Sequence, residues 1–312
     1  MKNLVSNEIG KISISISKIF WLYIILVPIM FIDFETINIK TAIITLFLTF
    51  LTVCLGHSVG LHRGIIHKTY TTTKWFQNSL LTLFAFTGLG SPKEWLKMHY
   101  FRDYWQNRLD CPKYFQYKHS LITDYYWNLH LSFKPEHIER YEIPKDDLGD
   151  KYINLLDRYW LLLNLLFFIT LTVLTNLNTA LIIFNLRIAL TILGHWFIGY
   201  ISHKYGYANY EIDHADESAY NNLLLGYISF GEGFHNNHHA FPKSARLGLK
   251  WYELDFGWYC ILLFKKLRII TNVSVNEKKQ TAHQIETIWN YPLILNNIKN
   301  QTIGNASTQK EV

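Results

Sequence analysis

Gly231-Glu232-Gly233-Phe234-His235-Asn236-Asn237-His238-His239-Ala240-Phe241-Pro242 places three histidines at i, i+3 and i+4. Residues at those spacings are neighbours on a helix, so a helical reading projects all three rings from one face. Neutral imidazole is a common ligand for iron, zinc and copper. Three rings on one face make half of a metal site; the plain alternative is a polar face with incidental histidines. Two further groups argue for metal: His62 with His67, and His99 in Trp95-Leu96-Lys97-Met98-His99.

Composition sets these clusters in a membrane protein. Of the 312 residues, 49% are hydrophobic and 17% charged, against about 25% charged in a soluble domain. The 10 Trp, 20 Tyr and 20 Phe suit aromatic belts at membrane interfaces. A net charge of +6 without a basic run interleaved with aromatics points to loops near anionic lipid, not to nucleic acid. Cys54, Cys111 and Cys260 show no CxxC spacing, so the thiols are expected reduced. The first apolar run lacks a small-residue cleavage site and reads as a retained span.

The expected class is an all-α integral membrane protein with four transmembrane helices in two hairpins. The spans are read at about 19–33, 41–61, 159–175 and 179–202, since crossing a bilayer takes about 20 apolar residues. Residues 1–18 form a cytosolic lead-in. Residues 19–271 form the membrane domain, whose helical cytosolic cap comprises 62–158 and 203–271. Residues 272–312 form a polar tail whose last dozen are expected disordered. The run 74–92, broken by Gly88, Gly90 and Pro92, reads as a helix at or dipping into the membrane surface. The segment from Trp258 to Phe264 reads as an amphipathic surface piece.

Charge sets the orientation. Of the 30 Lys and Arg, 3 lie in residues 1–18, 14 in 62–158 and 11 in 203–312; the other two are Lys40 and Arg187. The positive-inside rule then puts both termini and every histidine group on the cytosolic side, at a bacterial inner membrane or the endoplasmic reticulum. Arg187 inside a span is expensive. It is expected to pair with Asp or Glu from the cap, or to snorkel.

This pattern resembles the membrane fatty-acyl desaturase family, close to the acyl-CoA Δ9 (stearoyl-CoA-type) desaturases, over roughly residues 20–265. Gly60 to Tyr70 is similar to that family's first histidine box, and Gly231 to Pro242 to its third, nearly letter for letter. His203 resembles a further ligand at the end of the fourth span. Trp95 and Trp196 resemble two tryptophans flanking the acyl channel. The resemblance implies a dimetal site of nine histidines and a water-held asparagine, of which seven histidines carry over: His62, His67, His99, His203, His235, His238 and His239.

The chain departs from the family at the second box, where HRxHH is expected and His99-Tyr100-Phe101-Arg102-Asp103 stands. A guanidinium has no lone pair to give, so Arg102 cannot be a ligand. A carboxylate can bind or bridge iron, which makes Asp103 a candidate eighth ligand; the alternative is that it serves the fold. The expected asparagine is Gly199. The unmatched histidines are His57, His119, His130, His137, His195, His214 and His283. His57 and His195, near the metal end of their spans, could replace a lost donor, but an ordinary hydrogen-bonded role is the simpler reading. Cys111 is a further candidate soft ligand.

The implied chemistry is O2-dependent oxidation of a fatty-acyl chain at two irons, or one if the second site is lost, leaving a cis double bond. The substrate would be an acyl-CoA, an acyl carrier protein thioester or a lipid. With no haem or flavin motif in the chain, electrons would come from a carrier such as cytochrome b5 or ferredoxin. Three alternatives stay open: a hydroxylase on the same scaffold, a catalytically impaired lipid-binding relative, and a zinc hydrolase, for which seven histidines are too many.

Overall fold

The computed structural model describes residues 4–213, 215–275 and 277–291. His214 and the end of the tail lie outside the described residues. The first apolar run forms α1 (Ile16–Leu26), prolonged by a 3-10 turn, Val27–Phe31, that begins around Pro28. Next come α2 (Ile39–Ile66), α3 (Lys74–Ala85), α4 (Pro92–Gln106) and α5 (Leu121–His130). The second hairpin is α6 (Lys151–Leu174) and α7 (Leu177–Ser202). Three short helices complete the series: α8 (Leu223–Ile228), α9 (His235–Ala240) and α10 (Phe256–Lys266).

Three of these, α2, α6 and α7, are long and apolar enough to cross a membrane; α1 with its 3-10 turn is shorter. The mostly helical chain is a membrane protein. On α6, Leu165, Leu166, Ile169 and Val173 are exposed, as lipid-facing side chains are. α6 starts earlier than the apolar run because Asp150 caps it, accepting from the amides of Tyr152 and Ile153. The two hairpin loops are tied together: Asn178 Oδ1 accepts from the Asp33 amide at 2.8 Å, and its Nδ2 donates to Thr36 at 2.6 Å.

The structure is not wholly helical. Three two-stranded antiparallel sheets pair Gly10–Ile14 (β1) with Leu131–Pro135 (β3), Thr71–Thr72 (β2) with Ile270–Thr271 (β5), and Gly206–Ile212 (β4) with Ala282–Asn290 (β6). Thus part of the lead-in packs on the cap, and part of the expected tail is a strand. The sequence His-Gln-Ile-Glu-Thr-Ile-Trp alternates only loosely, so its strand comes from β4 offering a free edge.

Two features of α2 position the histidine-bearing elements. From Phe50 to Ile66 its bonds close i→i+5, a π-helix, a form that marks functional sites. In addition, α3 lies directly on its backbone. A Cβ on Gly56 would stand 2.5 Å from the Phe84 amide nitrogen, and one on Gly60 would stand 2.7 Å from Leu80 Cβ. Glycines four apart let two helices approach this closely.

Candidate metal centre

The seven histidines converge as two groups. His62, His67, His99 and His238 form one, and His203, His235 and His239 the other; within each group one nitrogen per ring lies within 4.8 Å of the others. The π-helix explains His62 and His67. Residues five apart are bonded neighbours along such a helix, and the His67 amide donates to His62 O at 3.0 Å. In an α-helix the same spacing would point the rings apart.

The third box divides between the groups. Three residues turn a helix by about 300° and four by about 400°, so His238 and His239 diverge by about 100° around α9. His239 stays with His235, their Nε2 atoms 3.2 Å apart, while His238 faces His67 with ring centroids at 4.6 Å. The expectation that all three serve one face is corrected accordingly. The intervening asparagines hold the helix in place. Asn236 bonds both ways to the β4 backbone, accepting from Tyr210 N and donating to Tyr210 O. Asn237 donates to Leu247 O and to Glu253.

Two of the rings are oriented through their Nδ1 atoms. His62 Nδ1 lies 2.7 Å from Glu232 Oε2, and His203 Nδ1 lies 2.9 Å from Ser218 O. Burial, then the crowding of neighbouring imidazoles, holds His67, His203, His238 and His239 well below the usual histidine range, and His235 at about 4. Such rings are neutral and carry lone pairs. The ring nitrogens crowd together: Nε2 of His67 and His99 are 3.0 Å apart, and those of His203 and His235 are 3.1 Å apart. A neutral imidazole has one N–H, and His238 Nδ1 is buried without a partner among the described residues. Clustered ring nitrogens of this kind fit a cation.

A family model described as fatty acid desaturase matches residues 40–259. The chain belongs to the fatty acid desaturase family. It is therefore an oxidoreductase. This family member is 29% identical over 241 residues to an sn-1 stearoyl-lipid 9-desaturase of Anabaena variabilis, covering 76% of its own length and 85% of the relative's. An sn-2 palmitoyl-lipid 9-desaturase of a Nostoc strain is also 29% identical, over 76% of this chain and 82% of the relative. An acyl-CoA 5-desaturase of Anemone leveillei is 29% identical as well, over 73% and 70%.

The departures from the family pattern take definite places. Arg102 turns to Tyr117, donating to its hydroxyl at 2.8 Å, and to Asn128. The Tyr117 ring lies flat on His203, centroids 4.3 Å apart and 10° from parallel. Asp103, one turn after His99 on α4, brings Oδ2 to 3.3 Å from His99 Nε2. Burial opposes ionisation of Asp103, but the imidazoles of His99 and His67 outweigh it and hold the carboxyl well below its usual range. Cys111 is buried away from both groups, its thiol pushed up to about 12 chiefly by burial.

Trp95 stacks on His99 at 5.3 Å. Trp196 instead donates to Asp124 on α5 at 2.7 Å. His57 and His195 pair with each other, Nε2 to Nε2 at 3.3 Å, beside the four-histidine group. Sequence reading missed Glu232 and Lys279. Glu232 stands inside the third box and could have been suspected there. Lys279 reaches Asn107 at the end of α4, 2.8 Å away, from a segment read only as tail.

Proposed function

We propose that this family member introduces a cis double bond into a fatty-acyl chain by O2-dependent oxidation at a diiron site. The observation that carries the reading is the pair of buried histidine groups in a chain matched to the desaturase family. His62, His67, His99 and His238 hold one iron; His203, His235 and His239 hold the other, with Asp103 as an eighth ligand. Iron bound there supplies activation of O2, the chemistry that breaks unactivated C–H bonds. The chain's own residues orient that chemistry. Glu232 and Ser218 O fix two ring tautomers, Trp95 walls the four-histidine side, and the buried setting keeps water out.

The acyl chain runs past Trp95 and Trp196. Its carrier is a lipid, CoA or carrier protein, the first two being named among the relatives. Electrons arrive from a separate protein such as cytochrome b5 or ferredoxin. Four spans, α1 included, put both termini and the site on the cytosolic side; the one-sided distribution of Lys and Arg supports this. One observation favours a second reading, a catalytically impaired lipid-binding relative: Arg102 brings a buried cation near the three-histidine group and no lone pair. The test is turnover of the purified, iron-loaded chain with reductant, O2 and stearoyl and palmitoyl substrates. Desaturated product supports the proposal. Hydroxylated product moves the chain to a hydroxylase, and no product with two irons bound favours the impaired relative.

A further inference from the structure

α3 ends inside the bundle, where its last carbonyls need partners. A helix leaves four C-terminal carbonyls without intrahelical donors, and in a lipid-enclosed bundle each one left open is expensive. Here separate spans supply the donors. Asn164 Nδ2 on α6 donates to Ala85 O at 2.8 Å, Arg187 Nη2 on α7 to Phe86 O at 2.9 Å, and Trp21 Nε1 on α1 to Gly88 O at 2.8 Å. The fourth, α2, joins through Thr52, whose hydroxyl accepts from Arg187 Nη1 at 3.0 Å. Arg187 is 1% exposed. Its partners among the described residues are the neutral groups of Thr52, Phe86 and Ile183. The expected Asp or Glu partner is thus replaced by a helix C-terminus, whose dipole favours a cation.

The turn held in this way leads straight into α4. Ser91 caps α4, accepting from the Glu94 amide at 3.1 Å. One turn on, Trp95 sets its ring edge-on to His57 at 4.7 Å and flat on His99 at 5.3 Å. Phe84, just before the turn, stacks on His57 at 6.1 Å. The depth of the turn in the bundle therefore sets where His99 meets its group.

We propose that Arg187 is a positioning residue for the metal centre: it seats the turn between α3 and α4 and so holds His99 in the four-histidine group. The histidines of the other group should be less sensitive to it, because His203, His235 and His239 sit on the end of α7 and on α9, and only the proposed ligand Asp103 rides on α4. This inference rests on the reading of both groups as metal sites.

The test is cobalt(II) titration of the purified full chain in detergent, with His238→Ala and His239→Ala assigning the spectrum of each group. Arg187→Gln should weaken cobalt at the four-histidine group by about tenfold and weaken the three-histidine group less, with Arg187→Lys intermediate. Equal loss at both groups, or none at either, overturns the proposal. If Arg187→Gln does not fold, Thr52→Val and Trp21→Phe, each removing one tie, decide in the same way. A wild-type chain that takes up no cobalt defeats the metal reading itself, and this inference with it.

Discussion

His62 Nδ1 and Glu232 Oε2 meet at 2.7 Å, joining the first and third boxes across 170 residues of chain. Burial would oppose ionisation of Glu232, but the facing His62 ring and the Arg63 guanidinium outweigh it and hold its carboxyl well below the usual range. Ser58 donates to its other oxygen. In the proposed metal site, a carboxylate so placed would fix the ring with Nε2 turned to the metal. Glu232→Gln should therefore lower metal affinity at the four-histidine group by about 10–100-fold, read by competition with a chelator. Unchanged affinity would show that the carboxylate serves the fold alone.

The split of the third box gives a sharper expectation. His238→Ala should release one metal, and His239→Ala the other, so each variant retains one metal per chain by elemental analysis. Loss of both metals from either variant would point to a single coupled site.

Asp103 is expected to make up for a missing imidazole. Asp103→Ala should lower iron occupancy or turnover by at least about tenfold, and Asp103→His should be better tolerated because imidazole also donates. Two irons and full turnover in Asp103→Ala would remove Asp103 from the ligand set.

Glu217 provides a pH test away from the metals. It is 5% exposed and its Oε1 has no partner among the described residues; burial, the largest cause, raises its carboxyl from 4.5 to about 7. Its folded value lies above its unfolded one, so its contribution to stability is fully present below about pH 4.5 and lost as pH rises through about 7. The loss is at most roughly 3 kcal/mol at pH 8. Glu217→Gln should melt above wild type at pH 8, the gap closing by pH 5. A gap independent of pH would contradict the assignment.

Much of this was legible in the sequence, because hydropathy and histidine spacing are local signals. The apolar runs located the long helices, though Lys151–Leu174 starts eight residues before its apolar run, and the seven histidines meet as two groups. What escaped depended on packing. Nothing local announces that Phe50–Ile66 widens into a π-helix, which is what aligns His62 with His67. Arg187 read as an ion-pair problem because its real partners are two backbone carbonyls, which every residue has, and the Thr52 hydroxyl. β6 was missed because its pairing edge, β4, lies some 70 residues away.

If the two histidine groups hold iron, this family member should be a working acyl desaturase. The most direct measurement is the fatty-acid profile of a desaturase-deficient host expressing the chain, beside the same host expressing His238→Ala at matched protein level. A new cis-monounsaturated acid is expected with the wild-type chain and none with the variant. No new double bond from an iron-loaded wild-type chain, or the same new acid from both, would contradict it.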